Sequence, residues 1–166
     1  GVTGGYIQGG DYYISAVLGY NNANDGTAMV INCYNMSTVN SSGQLTLGTV
    51  NNNSHYLGGV VGYNRADNGV ATVKDCYNVG AVNGVYEVGG VVGGNMVYEG
   101  VAMAEIINCY NTGRVSGKAY DVGGVLGENE SFSRNGTVKI VNCYNTGEVS
   151  GSGGFNDNVG GVIGYN

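Results

Sequence analysis

The chain has 166 residues, with 33 Gly, 14 Tyr, no Pro and no Trp, and only 11% of its residues are charged. So little charge cannot clothe the outer faces of amphipathic helices, and glycine inside a helix costs about 1 kcal/mol relative to alanine, so long helices are excluded. The 42% hydrophobic content and net charge of −6 also argue against disorder, which leaves an all-β fold with many tight turns.

In chain order the same elements return again and again. The first unit, residues 14–56, opens on Ser15-Ala16-Val17-Leu18-Gly19 and Asn21. It runs into Cys33-Tyr34-Asn35, then the brief Thr38-Val39, and closes on a long segment holding His55, the single histidine. The second unit, 57–87, opens on the Gly-Gly-Val-aliphatic-Gly block at Gly58–Gly62, with Asn64 two residues on. It reaches Cys76-Tyr77-Asn78 and Ala81-Val82. The third, 88–121, repeats the block at Gly89–Gly93 with Asn95, then Cys109-Tyr110-Asn111 and Arg114-Val115. The fourth, 122–158, has Gly123–Gly127 with Asn129, then Cys143-Tyr144-Asn145 and Glu148-Val149. A fifth unit begins at 159 with Gly160–Gly164 and Asn166. The Cys-Tyr-Asn triplets stand 43, 33 and 34 residues apart.

Each unit offers three short strand candidates: the Gly-Gly-Val block, the run into Cys-Tyr-Asn, and the brief Thr38-Val39-like pair. Asp25-Gly26, Asn68-Gly69, Asn83-Gly84 and Asn135-Gly136 supply turns. A unit this small cannot bury its own apolar face, so the units must stack. The expected fold is one domain over 1–166, an all-β β-solenoid (parallel β-helix) of about four three-stranded coils. A β-propeller is the competing architecture, but its blades are longer and four-stranded.

In such a stack, equivalent residues lie about 4.8 Å apart. Asn21, Asn64, Asn95 and Asn129 would form one amide ladder, and Asn35, Asn78, Asn111 and Asn145 another. Cys33, Cys76, Cys109 and Cys143 share one repeat position, where parallel Cβ vectors suit disulfides poorly. Their neighbours two residues back, mostly apolar, suggest four buried free thiols. If Cys points inward, Tyr34, Tyr77, Tyr110 and Tyr144 point outward. They would form a strip that either covers the coil by ring stacking or meets a flat apolar partner or a sugar.

Little suggests catalysis. His55 reads as an exposed loop residue with no repeated Ser or Asp around it. Glu128 and Glu130 share a face of one strand. Paired carboxylates can hydrolyse glycosides, but here they read as a solvated edge. No cofactor and no metal site is expected, although Glu87, Asp121 and Asp157 recur just before the Gly-Gly blocks and could stack into a calcium site. Arg65, Lys74, Arg114, Lys118, Arg134 and Lys139 are scattered, so nucleic acid is not an expected partner. No run approaches the roughly 18 apolar residues of a membrane span.

Val122-Gly123-Gly124-Val125-Leu126-Gly127 and Asn142-Cys143-Tyr144-Asn145-Thr146-Gly147, with close copies in the other units, resemble the GLUG motif of bacterial surface proteins. The proteins that carry this motif include some immunoglobulin A-cleaving metallopeptidases, in the region that accompanies the peptidase. The resemblance covers nearly all of 14–166. It implies an extracellular, cell-surface spacer or adhesin segment rather than an enzyme. The open ends of the repeat stack lead one to expect neighbouring repeats or copies of itself in an end-to-end fibre as partners, and a host glycan or protein is the further expected partner. The Tyr strip would serve a carbohydrate-binding alternative. The His-Glu-x-x-His signature of zinc proteases does not occur.

Overall fold

The computed structural model describes residues 1–9, 12–41, 55–152 and 158–166. These residues form strands, turns and bends, and among them there is no helix. The strands stack in parallel into a β-solenoid of about four turns.

Each coil holds five strands rather than three. The second coil shows the plan: Leu57–Gly58, Val61–Asp67, Val70–Lys74, Tyr77–Asn78 and Val82–Asn83. Each stacks on its equivalents above and below. The glycine column comprises Ile14–Ser15, Leu57–Gly58, Val88–Gly89, Val122–Gly123 and Val159–Gly160. The long column contains Leu18–Ala23, Val61–Asp67, Val92–Glu99, Leu126–Ser131 and Ile163–Tyr165. A middle column contains Thr27–Ile31, Val70–Lys74, Met103–Ile107 and Thr137–Val141. The tyrosine column contains Tyr34–Asn35, Tyr77–Asn78, Tyr110–Asn111 and Tyr144–Asn145. A return column contains Tyr6–Gly9, Thr38–Ser41, Val82–Asn83, Val115–Gly117 and Val149–Gly151.

Two kinks split the expected three segments into five. The first lies inside the Gly-Gly-Val block. A Cβ on Gly58, Gly89 or Gly123 would sit 1.8, 1.7 or 1.9 Å from the carbonyl oxygen of Val61, Val92 or Leu126. Only glycine lets the chain fold back so tightly. The second kink precedes cysteine. Asn32, Asp75, Asn108 and Asn142 have φ of 55°, 53°, 55° and 52°. Asn and Asp are the side chains that best tolerate this left-handed region, so they end the middle strand and start the tyrosine strand at a new angle.

Alternation puts every second residue inside. Val39, Val82, Val115 and Val122 pack with Leu57 and Val88 in one cluster. Val73, Cys76, Ile106 and Cys109 pack with Val60, Val91, Val125 and Leu126 in another. A third, Ala23, Ala66, Ala71, Val97, Ala102 and Ala104, lines the turn between the long and middle columns. Small side chains there let the two strand walls approach each other.

Candidate functional site

The two asparagine ladders are continuous and lie inside as far as Asn129 and Asn111, with Asn145 half-buried and Asn166 exposed at their ends. Asn21 donates through Nδ2 to Oδ1 of Asn64 at 2.7 Å, Asn64 to Asn95 at 2.7 Å, Asn95 to Asn129 at 2.8 Å and Asn129 to Asn166 at 2.7 Å. Asn35 donates to Asn78 at 2.8 Å, Asn78 to Asn111 at 2.7 Å and Asn111 to Asn145 at 2.8 Å. Members of the second ladder also close the corner after the tyrosine strand. Asn78 and Asn111 each donate to the carbonyl two residues on, Gly80 or Gly113, at 2.7 Å. These amides are fully buried and satisfied, which makes removing one expensive.

All four cysteines are free thiols. Cys76 and Cys109 are fully buried, whereas Cys33 and Cys143 are only partly so, because the middle strands that lead into them, Thr27–Ile31 and Thr137–Val141, are the two ends of their column and pair on one side alone. Hydrogen bonding to Cys143 and Cys76, in which Cys109 is the thiol that keeps its proton, and then burial push the Cys109 thiol far up.

Tyr34, Tyr77, Tyr110 and Tyr144 alternate with these residues and face out. Their rings stack with centroids 5.3, 5.0 and 5.1 Å apart and planes within 10°, 3° and 4° of parallel. Most ring faces are therefore taken by neighbouring rings. Outward, the strip offers ring edges and hydroxyls rather than flat faces.

The opposite corner changes along the axis. The residue before each glycine strand is Tyr13, Tyr56, Glu87, Asp121 and Asn158 in successive coils. Its carbonyl accepts from the coil before, as in Ile14 N–H to Tyr56 and Val122 N–H to Asn158. The facing position of the long column is Tyr20, Tyr63, Gly94, Glu128 and Tyr165. In the first two coils four phenol rings pack together, with Tyr56 and Tyr63 centroids 4.4 Å apart. In the third, Gly94 makes room for the Tyr56 ring, which a Cβ there would meet at 2.5 Å. Beyond it, Glu87, Asp121 and Glu128 bring one oxygen each to within 4.8 Å of one another.

Burial, then the charges of Glu87, Asp121 and Glu130, push the Glu128 carboxyl up to about 8, against the Tyr56 hydroxyl that donates to it. Glu128 is thus a protonated, half-buried acid at neutral pH, not the solvated edge expected from sequence. Asp121 is also raised by burial, although the Asn158 amide donates to it at 2.7 Å. Tyr56 and Tyr63 are raised as well, chiefly by burial.

His55 is not a plain loop residue either. Its ring stacks between Tyr12 and Tyr86, at 5.5 and 5.0 Å, and Nδ1 lies 2.8 Å from a Glu87 oxygen. Tyr12, His55, Tyr86 and Tyr120 occupy one position per coil, an aromatic ladder that sequence reading missed. Its signal was present, two residues ahead of each of the first four glycine strands.

Of the calcium candidates, the structure joins Glu87 and Asp121 to Glu128. Asp157 lies outside the described residues, and the next residue of that column is Asn158. Three carboxylates supply hard oxygen donors of the type calcium takes, short of the six to eight it prefers. The same group can instead hold a proton on Glu128.

Residues 84–116 match the family model of the GLUG motif. The match spans one coil, from the return column of one turn to that of the next. No curated protein and no solved structure matches the chain.

Proposed function

We propose that this GLUG-motif solenoid is a structural repeat segment of an extracellular bacterial surface protein, a stiff spacer that sets distance and presents side faces to partners, rather than an enzyme. The observation that carries this reading is the pair of asparagine ladders, buried in all but the last coil and each running unbroken through successive coils. They lock register along the axis and reward each added coil with the same bonds. In a stack of this kind stability is a sum of coil and interface terms, so length can change without redesign.

The test is to remove one coil, residues 88–121, which joins Glu87 to Val122 at equivalent positions. The shortened chain should keep its β-sheet circular dichroism and lose about 4.8 Å of axial length by small-angle scattering. A shortened chain that fails to fold would show that the coils are not interchangeable units and would sink the spacer reading. Light scattering on the intact chain separates two forms of the role. A monomer supports a spacer, and long uniform fibres support copies stacking end to end.

A further inference from the structure

The return column carries a groove of about 460 Å³ on its outer side, and no residue of the tyrosine strip or of the Glu87, Asp121 and Glu128 group lines it. Its floor is the outward position of five strands in register: Gln8, Asn40, Asn83, Ser116 and Ser150. The alternate positions, Val39, Val82 and Val115, face the core. Every coil therefore presents a neutral amide or hydroxyl at this place, and none presents an apolar or acidic side chain.

The floor is already ordered. Asn83 donates to Asn40 at 2.6 Å, and the Ser116 hydroxyl donates to Asn83 at 2.8 Å. An amide has two N–H groups and two lone pairs, so this chain of bonds fixes the Asn83 side chain without using its second N–H. Tyr6, 62% exposed, also lines the groove. Arg114 and Lys118 line it too, two of the six cations in a chain of net charge −6. Glu148 lies 3.6 Å from the Arg114 guanidinium, but both side chains are mostly exposed, so the pair is weak and an anion can compete for it.

The geometry points to a binding groove for an acidic oligosaccharide chain, with sugar hydroxyls on the amide and hydroxyl floor, a ring against Tyr6 and carboxylates on Arg114 and Lys118. A repeating polar floor suits a repeating polymer. The two cations select an anionic chain over a neutral one, and the aromatic edge suits a sugar ring better than a featureless polyanion. This assignment does not depend on the spacer role.

The intact chain is titrated by calorimetry with a galacturonic acid oligomer, a neutral glucose oligomer of equal length, and a single-stranded DNA oligomer. The acidic sugar should bind, and the neutral sugar and the DNA should bind at least about tenfold more weakly. The double variant Arg114→Gln/Lys118→Gln should lose about tenfold or more of the acidic-sugar affinity. Asn83→Ala should lose less, and Tyr144→Ala, on the other column, should lose none. The cations are exposed, and circular dichroism checks that each variant is folded. No binding of the acidic oligomer, equal binding of DNA, or unchanged affinity in the double variant would each overturn the assignment.

Discussion

Two corners of the same coil are built on opposite plans. At the tyrosine column every turn repeats the same three residues, with Cys and Asn inside and Tyr outside. At the corner before the glycine column the residue changes from phenol to carboxylate to amide as the axis is climbed. The repeated corner gains from identity, because like amides and like rings satisfy one another only when stacked in register. The varied corner gains nothing from identity, since a column of carboxylates repels itself. It holds its three acids together by burying a proton on Glu128 and pairing Glu87 with His55. Repetition here marks what holds the fold, and departure from repetition marks where the chain has its own chemistry.

The sharpest way to break the contrast is to interrupt the repeated corner. Asn78→Ala removes an amide that donates to Asn111 and Gly80 and accepts from Asn35. It leaves buried partners unmatched on both sides and should cost about 2–4 kcal/mol in urea unfolding. Asn145→Ala, on the partly exposed last coil, should cost less. Equal costs would mean that the ladder adds nothing beyond its individual bonds.

The varied corner should respond to pH instead. Glu128 has a folded pKa raised from 4.5 to about 8. Below its unfolded pKa both states hold the proton and nothing is lost. As pH rises from about 4.5 to about 8 the unfolded chain ionises first, so this group's contribution to stability falls. Solvent screening reduces the effect to on the order of 1–2 kcal/mol. Glu128→Gln should remove that decline, measured as the difference in unfolding midpoint between variant and native chain across the interval. A constant difference would mean that Glu128 ionises normally. The smallest effect expected is that of Tyr110→Ala, which deletes one ring from between Tyr77 and Tyr144. It should cost about 1 kcal/mol, visible as a modest drop in melting temperature, with the asparagine ladder beneath it intact.

Much of the repeated corner was legible because its columns are made of one residue type. Cys-Tyr-Asn repeated at near-constant spacing already implies stacking, and alternation already separates Tyr from its neighbours. The acidic corner was harder to read. Glu87, Asp121 and Glu128 come from two different columns, and only the kink at the glycine pair turns those columns towards each other. Asp157 stands one residue out of step with Glu87 and Asp121 in the sequence, since Val159 is preceded by Asn158. The proton on Glu128 depends on burial against the Tyr56 ring, which reaches that place because Gly94 has no side chain.

The sequence by itself determined the repeat, its coil length and the residues that stack, because in-register stacking needs only like residues at like spacing. Tertiary structure alone decided that each coil has five strands, and which residues of different columns meet. Kink angles at glycine and at left-handed Asn or Asp set those contacts, and they follow from backbone closure around the core rather than from any local pattern.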